Sequence, residues 1–134
     1  MTTESKLPPP AGPRPTLLRR RAASFGHAVR GVGAALRTEV HLRLHAAAAA
    51  AVLGLGLYCG LQRWEWVAVA LSVGAVWCAE LLNTAIEAVV DLVSPEYHPL
   101  AGRAKDVAAG AVLAMALAAL AVGGLVFGPY FFGS

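Results

Sequence analysis

Charge is scarce in this 134-residue sequence: Lys, Arg, Asp and Glu together make up 14% of it. A soluble domain usually carries about a quarter, so an ordinary water-facing globule is excluded. Cysteine is nearly absent. Cys59 and Cys78 fall in separate apolar stretches without metal-ligand spacing, which leaves them as small hydrophobes. No G-x-x-x-x-G-K-[ST] loop is present, so any nucleotide site is of an unusual kind. No aromatic or Gly-rich binding pattern accompanies the arginines, which argues against nucleic acid as a partner. The opening residues 1–15, with "PPPAGPRP", have little to bury and read as a disordered tail. They do not read as a signal peptide, because no short apolar core with a small-residue cleavage site follows.

What is abundant is apolar sequence: 57% of residues are hydrophobic and the mean hydropathy is +0.61. We expect an all-α integral membrane protein whose domain covers residues 16–134. Residues 16–38 mix arginines with Leu17, Leu18, Phe25, Val29, Val32 and Leu36 at roughly helical spacing, the pattern of an amphipathic helix on a membrane surface. Gly31 and Gly33 weaken its continuity. Three apolar segments follow, at about 42–61, 64–93 and 107–127, each reaching the roughly 20 residues needed to cross hydrocarbon. Pro95 and Pro99 keep the second from running into the third.

Eight basic residues, Lys6 to Arg43, precede or open the first segment; Arg103 and Lys105 lie between the second and third; Arg63 alone lies between the first and second. The positive-inside rule puts the N-terminus and "SPEYHPLAGRAKD" in the cytoplasm and the C-terminus outside. Trp64 and Trp66 would then mark the outer boundary of the second span, Tyr130, Phe131 and Phe132 that of the third, and Glu65 between the tryptophans would be an exposed interface residue. At about 1.5 Å per residue, Glu80 is about 24 Å and Glu87 about 35 Å from Trp64. Against hydrocarbon about 30 Å thick, Glu80 sits just inside the cytoplasmic edge, while Glu87 and Asp91 pass beyond it.

The segment "AELLNTAIEAVVDLV", residues 79–93, carries the chemistry. With a turn of about 100° per residue, Asn83, Glu87 and Asp91 come round to within an arc of about 80° that includes Glu80. Three carboxylates on one face must be answered by cations, because an unpaired carboxylate in a membrane costs several kcal/mol. One answer is a structural ion-pair stripe facing basic residues of the surface helix. The other is a site for divalent metal and phosphate. Mg²⁺ takes one or two protein carboxylates, and Glu39 and Glu87 could supply them from different helices. Lys105 and Arg103 could hold phosphate. His41 and His45 form an H-x-x-x-H pair that could hold zinc on a helix, but no third ligand is evident, and we read them as ordinary polar residues.

"ELLNTAIEAVVDLVSPEYHPLAGRAKDVAAGAVL" closely resembles the signature of the prokaryotic diacylglycerol kinase and undecaprenol kinase family, small integral membrane lipid kinases. "SFGHAVRGVGAALRTEVHLRLH" resembles that family's surface helix and the start of its first span, so the likeness runs from about Ser24 to Phe127. It implies a homotrimer with three spans per subunit and composite sites between subunits, in the cell membrane. It implies transfer of the γ-phosphate of ATP, with Mg²⁺, to a membrane lipid alcohol at the cytoplasmic face. By motif position Glu80 is the catalytic base, Glu39 and Glu87 are the metal carboxylates, and Asn83 lies near the reacting hydroxyl. Glu96, Tyr97, His98, Lys105 and Asp106 fall on the nucleotide-contacting connector. His27 falls at an ATP contact and Arg20 and Arg30 at lipid contacts. "RTEVHLRLH" and "EYHPLA" look more like the undecaprenol branch, with diacylglycerol the alternative substrate. Gly110, Ala114 and Ala118, at four-residue spacing, suit close helix packing in an oligomer. A rival of another class is a small proton-coupled multidrug transporter, which also uses an intramembrane Glu but has no reason for a carboxylate stripe beside a Lys/Asp connector.

Overall fold

A computed structural model of the chain describes residues 16–133, without the side chain of Arg20. The tail expected at residues 1–15 lies outside the described residues. The described residues form four helices joined by short breaks: α1 (Leu17–Thr38), α2 (Val40–Cys59), α3 (Arg63–Val93) and α4 (Pro99–Phe132). The chain divides into two compact units, Met1–Gly31 and Val32–Ser134.

In the first unit, α1 leaves Leu17, Leu18, Phe25 and Val29 exposed alongside Arg19, Arg21 and Arg30. The helix runs unbroken through Gly31 and Gly33. Neither glycine has a neighbour within 4 Å of where a Cβ would stand, so each is a weak spot of helix propensity and not a break.

In the second unit, α1 and α2 are separated by one residue. Glu39 adopts extended backbone (φ −91°, ψ 118°) and its carbonyl accepts the N–H of Arg43, opening α2. The alanine run from Ala46 to Ala51 then keeps α2 helical with little side-chain cost. Gly60 ends it in the left-handed region (φ 67°), where a Cβ would be strained. Its N–H donates to Leu57 O, and that of Leu61 to Gly56 O. This is a Schellman closure, and Leu61 folds back over Gly56, whose missing side chain makes room. A Cβ on Gly56 would stand 2.8 Å from the Trp66 ring and 3.0 Å from Leu61.

Helix α3 starts immediately, capped reciprocally by Gln62 and Glu65. Its 31 residues span about 45 Å, longer than hydrocarbon is thick. It stops at Val93, before Pro95, and α4 starts with Pro99 in its first turn, where a missing N–H costs nothing. The last apolar run, expected at 107–127, is therefore the middle of a longer helix, and much of the expected connector is its first two turns. α3 packs most extensively along α4 and less along α2.

Three of the helices, α2, α3 and α4, are long and apolar enough to cross a membrane. Little of them is buried within the chain. Leu61, Val69, Val126 and Phe127 form a core cluster beside the α2–α3 turn, supported by Leu55, Trp66 and Val73. Leu53, Leu57, Leu71, Leu113, Leu117 and Leu125 point outward, as do Gly110, Ala114 and Ala118. So much outward-facing apolar surface suits a surrounding of lipid or other helices.

One expectation fails here. Glu65 is 6% exposed, not an open interface residue. Its Oε2 accepts from the Gln62 backbone N–H and from the Tyr130 hydroxyl, each at 2.7 Å. A buried carboxylate needs such donors, and Tyr130 reaches it from the far end of α4.

Two stability outcomes follow. Gly56→Val should drive Cγ atoms into Trp66 and Leu61 and cost about 1–3 kcal/mol. Tyr130→Phe should cost about 1–2 kcal/mol by removing one donor to Glu65. Both should lower the melting temperature of the purified protein in detergent. An unchanged midpoint in either variant would show that its contact contributes nothing.

Candidate functional site

The polar stripe expected on α3 is present and graded. Glu80 is buried at 6% exposure, Asn83 and Glu87 are half-buried, and Asp91 is exposed. Continuous helix from Arg63 to Val93 spaces the four along the axis on one face.

Each member meets a different partner. Glu80 Oε1 lies 3.5 Å from His45 Nε2 on α2. Asn83 Nδ2 donates to Glu87 Oε1 at 3.0 Å, one helical turn apart. Asp91 Oδ1 accepts from Lys105 Nζ of α4. Glu39, at the α1–α2 break, accepts from the Thr38 hydroxyl at 3.0 Å. No hydrogen bond or ion pair joins Glu39 to Glu87 among the described residues.

The residues expected to contact nucleotide divide. Glu96, Tyr97, His98 and Lys105 line one cavity of about 190 Å³, together with Asp91 and Gly102. His98 also caps α4: its Nδ1 accepts the Leu100 N–H at 3.2 Å, and the Ser94 hydroxyl donates to Glu96 O. Asp106 is exposed on α4 and does not line the cavity. In the first unit, His27 Nδ1 accepts from the Arg30 guanidinium at 3.0 Å. The side chain of Arg20 lies outside the described residues.

A larger cavity of about 440 Å³ runs between α2, α3 and α4. Its walls are mostly apolar, from Ala48, Ala49 and Val76 to Trp77 and Phe127, with His45 among them. Val76 and Trp77 lie one turn before Glu80 on α3, so the buried carboxylate stands just past the end of this groove.

The oxygen donors on the stripe suit a hard cation. Asn83 Oδ1 is buried without a partner beside the Glu87 carboxylate, and carboxylate and amide oxygens are the ligand types that Mg²⁺ accepts. Among the described residues no three His, Cys, Asp or Glu converge as a metal cluster. The zinc pair His41 and His45 gains no third ligand there, and His45 faces Glu80 instead.

Sequence reasoning assigned no site role to two residues that the geometry brings in, Asp91 and His45. Asp91 was visible as the last member of the stripe. The H-x-x-x-H spacing drew attention to His45 for a different reason, and its pairing with a distant Glu80 has no local signal.

Comparison with known proteins gives the family. The sequence profile described as prokaryotic diacylglycerol kinase matches residues 26–127. An undecaprenol kinase of Bacillus subtilis (strain 168) is 47% identical over 112 residues, covering 84% of this chain and 91% of that protein. A diacylglycerol kinase of Synechocystis sp. is 44% identical over 107 residues, 79% of this chain and 61% of that longer protein. A diacylglycerol kinase of Escherichia coli (strain K12) is 38% identical over 88 residues, 66% of this chain and 72% of that protein. The match spans the helices that carry Glu39, His45, Glu80, Glu87 and Lys105, and the chain belongs to the prokaryotic diacylglycerol kinase family of membrane lipid kinases.

Proposed function

We propose that the chain transfers the γ-phosphate of ATP to undecaprenol, forming undecaprenyl phosphate at the cytoplasmic face of the cell membrane. The observation that carries this reading is the graded stripe on α3. It joins a buried carboxylate beside an apolar groove to an exposed one beside a polar cavity. A lipid hydroxyl and a nucleotide need those two surroundings, and one rigid helix supplies both. The 47% identity to an undecaprenol kinase supports the choice of lipid. The Synechocystis and E. coli relatives are diacylglycerol kinases, which makes diacylglycerol the second candidate.

In this mechanism Glu80 takes the proton of the lipid hydroxyl as its oxygen bonds to the γ-phosphorus and the bond to the β–γ bridging oxygen breaks, releasing ADP. Asn83 holds the hydroxyl near Glu80. Glu39 and Glu87 would hold Mg²⁺, which neutralises phosphate charge when bound with the nucleotide. Glu96, Tyr97, His98, Lys105, Asp106 and His27 contact ATP, and Arg20 and Arg30 contact the lipid.

The same reading includes an amphipathic α1 on the membrane surface, a cytoplasmic N-terminus and an external C-terminus. The exposed Leu17, Leu18 and Phe25 beside arginines support the first. The distribution of basic residues supports the orientation. It also includes a homotrimer. The unpartnered Gly110, Ala114 and Ala118 face supports close packing with another subunit.

Purified protein with ATP, Mg²⁺ and either undecaprenol or diacylglycerol in mixed micelles should phosphorylate undecaprenol faster. Faster turnover of diacylglycerol would reverse the assignment, and no product from either lipid would end the kinase reading. Glu80→Gln should lower kcat by at least about 100-fold while ATP binding, followed by calorimetry, stays within a few-fold of wild type. Near-normal turnover in that variant would remove Glu80 as the base.

A further inference from the structure

The pair formed by Glu80 and His45 leaves little freedom in how Glu80 can be used. Glu80 is 6% exposed and has no hydrogen-bond donor among the described residues other than what His45 can offer. A carboxylate accepts and never donates while ionised. Buried without donors, it would be held poorly and at a cost of several kcal/mol. His45 presents Nε2 to Oε1 at 3.5 Å, slightly beyond a formed hydrogen bond and within the small closure that ligand binding commonly brings.

His45, its side chain 27% exposed, has no other polar protein partner among the described residues. It lines the apolar groove with Ala48 and Ala49, which follow it by one turn of α2. The Trp77 indole, another lining residue, has its own Nε1 buried without a partner among the described residues. Neither His45 ring nitrogen has a hydrogen bond among the described residues, and Glu80 is its ion-pair contact. The imidazole therefore both lines the groove and meets the carboxylate.

We infer that His45 is a positioning residue for Glu80. Its Nε2–H binds Oε1 and fixes the carboxylate rotamer, so that the other oxygen, Oε2, is left free to accept the hydroxyl proton. His45 exchanges no proton with the substrate. This inference rests on the reading of Glu80 as the base and adds a requirement that α2 be docked against α3 for that base to work. A neutral imidazole with the hydrogen on Nε2 satisfies the arrangement, and a side-chain amide of similar reach can replace it.

The test uses full-length protein in mixed micelles with ATP and Mg²⁺, with undecaprenol and diacylglycerol assayed in parallel. Four proteins are compared: wild type, His45→Leu, His45→Gln and Glu80→Gln. Leucine keeps the bulk at the groove margin and removes the N–H, and glutamine restores an N–H donor. For His45→Leu we expect kcat to fall about 10- to 100-fold, the scale of a misplaced catalytic group, with KM for ATP within twofold of wild type. For His45→Gln we expect recovery to within about fivefold of wild type, since an amide N–H can replace the ring donor. A His45→Leu variant with wild-type kcat overturns the proposal while Glu80→Gln, if inactive, keeps the base in place. Equal losses in His45→Leu and His45→Gln overturn it as well, because a restored N–H donor would then make no difference. An active Glu80→Gln overturns the base and this inference together.

Discussion

A carboxylate cannot be left alone in an apolar surrounding, and the architecture of this chain follows from that constraint. Helix α3 carries carboxylates along much of its length: Glu65 near its start, Glu80 in its interior, Glu87 and Asp91 toward its end. Their partners come from α2, from α3 itself and from the two ends of α4. Glu65 is answered by Tyr130 of α4, Glu80 by His45 of α2, Glu87 by Asn83 of its own helix, and Asp91 by Lys105. With little apolar surface buried between helices, the contacts to His45, Tyr130 and Lys105 add specificity to the apolar packing of α2 and α4 on α3. In a membrane such bonds compete with lipid and not with water, so their specificity outweighs their number.

The site uses the same helix as a ruler. About 16 Å of axis separates Glu80 from Asp91, enough to carry one face from hydrocarbon to headgroups. The stripe was legible in the sequence because 100° periodicity is a local property, as were three apolar spans and the stop before Pro95. The family likeness was legible because its longest motif is contiguous. What could not be read were contacts across helices. Glu65 was misjudged because two flanking tryptophans look like an exposed boundary. Its burial depends on a tyrosine 65 positions away. His45 was weighed as half of a metal pair because spacing along α2 is visible and the facing surface of α3 is not.

The start of α4 is a milder case. Its first turns were assigned to a connector because "SPEYHPLAGRAKD" is polar, yet Pro99 is well suited to open a helix. Polarity there goes with exposure, not irregular backbone. The true break between α3 and α4 is short, and this brings Asp91, Glu96, His98 and Lys105 into one small cavity.

That cavity is a hairpin product. Asp91 and Lys105 are 14 positions apart, so closing the loop between them sacrifices little chain entropy. The Glu80–His45 contact, in contrast, requires α2 to arrive from across the turn at Gly60. The two halves of the site are thus unequal in autonomy: one is local to a single helical hairpin, and the other exists only when the bundle is assembled. Loosening α2 would part Glu80 from His45 first, and a chain in that state would keep the small cavity of the α3–α4 hairpin.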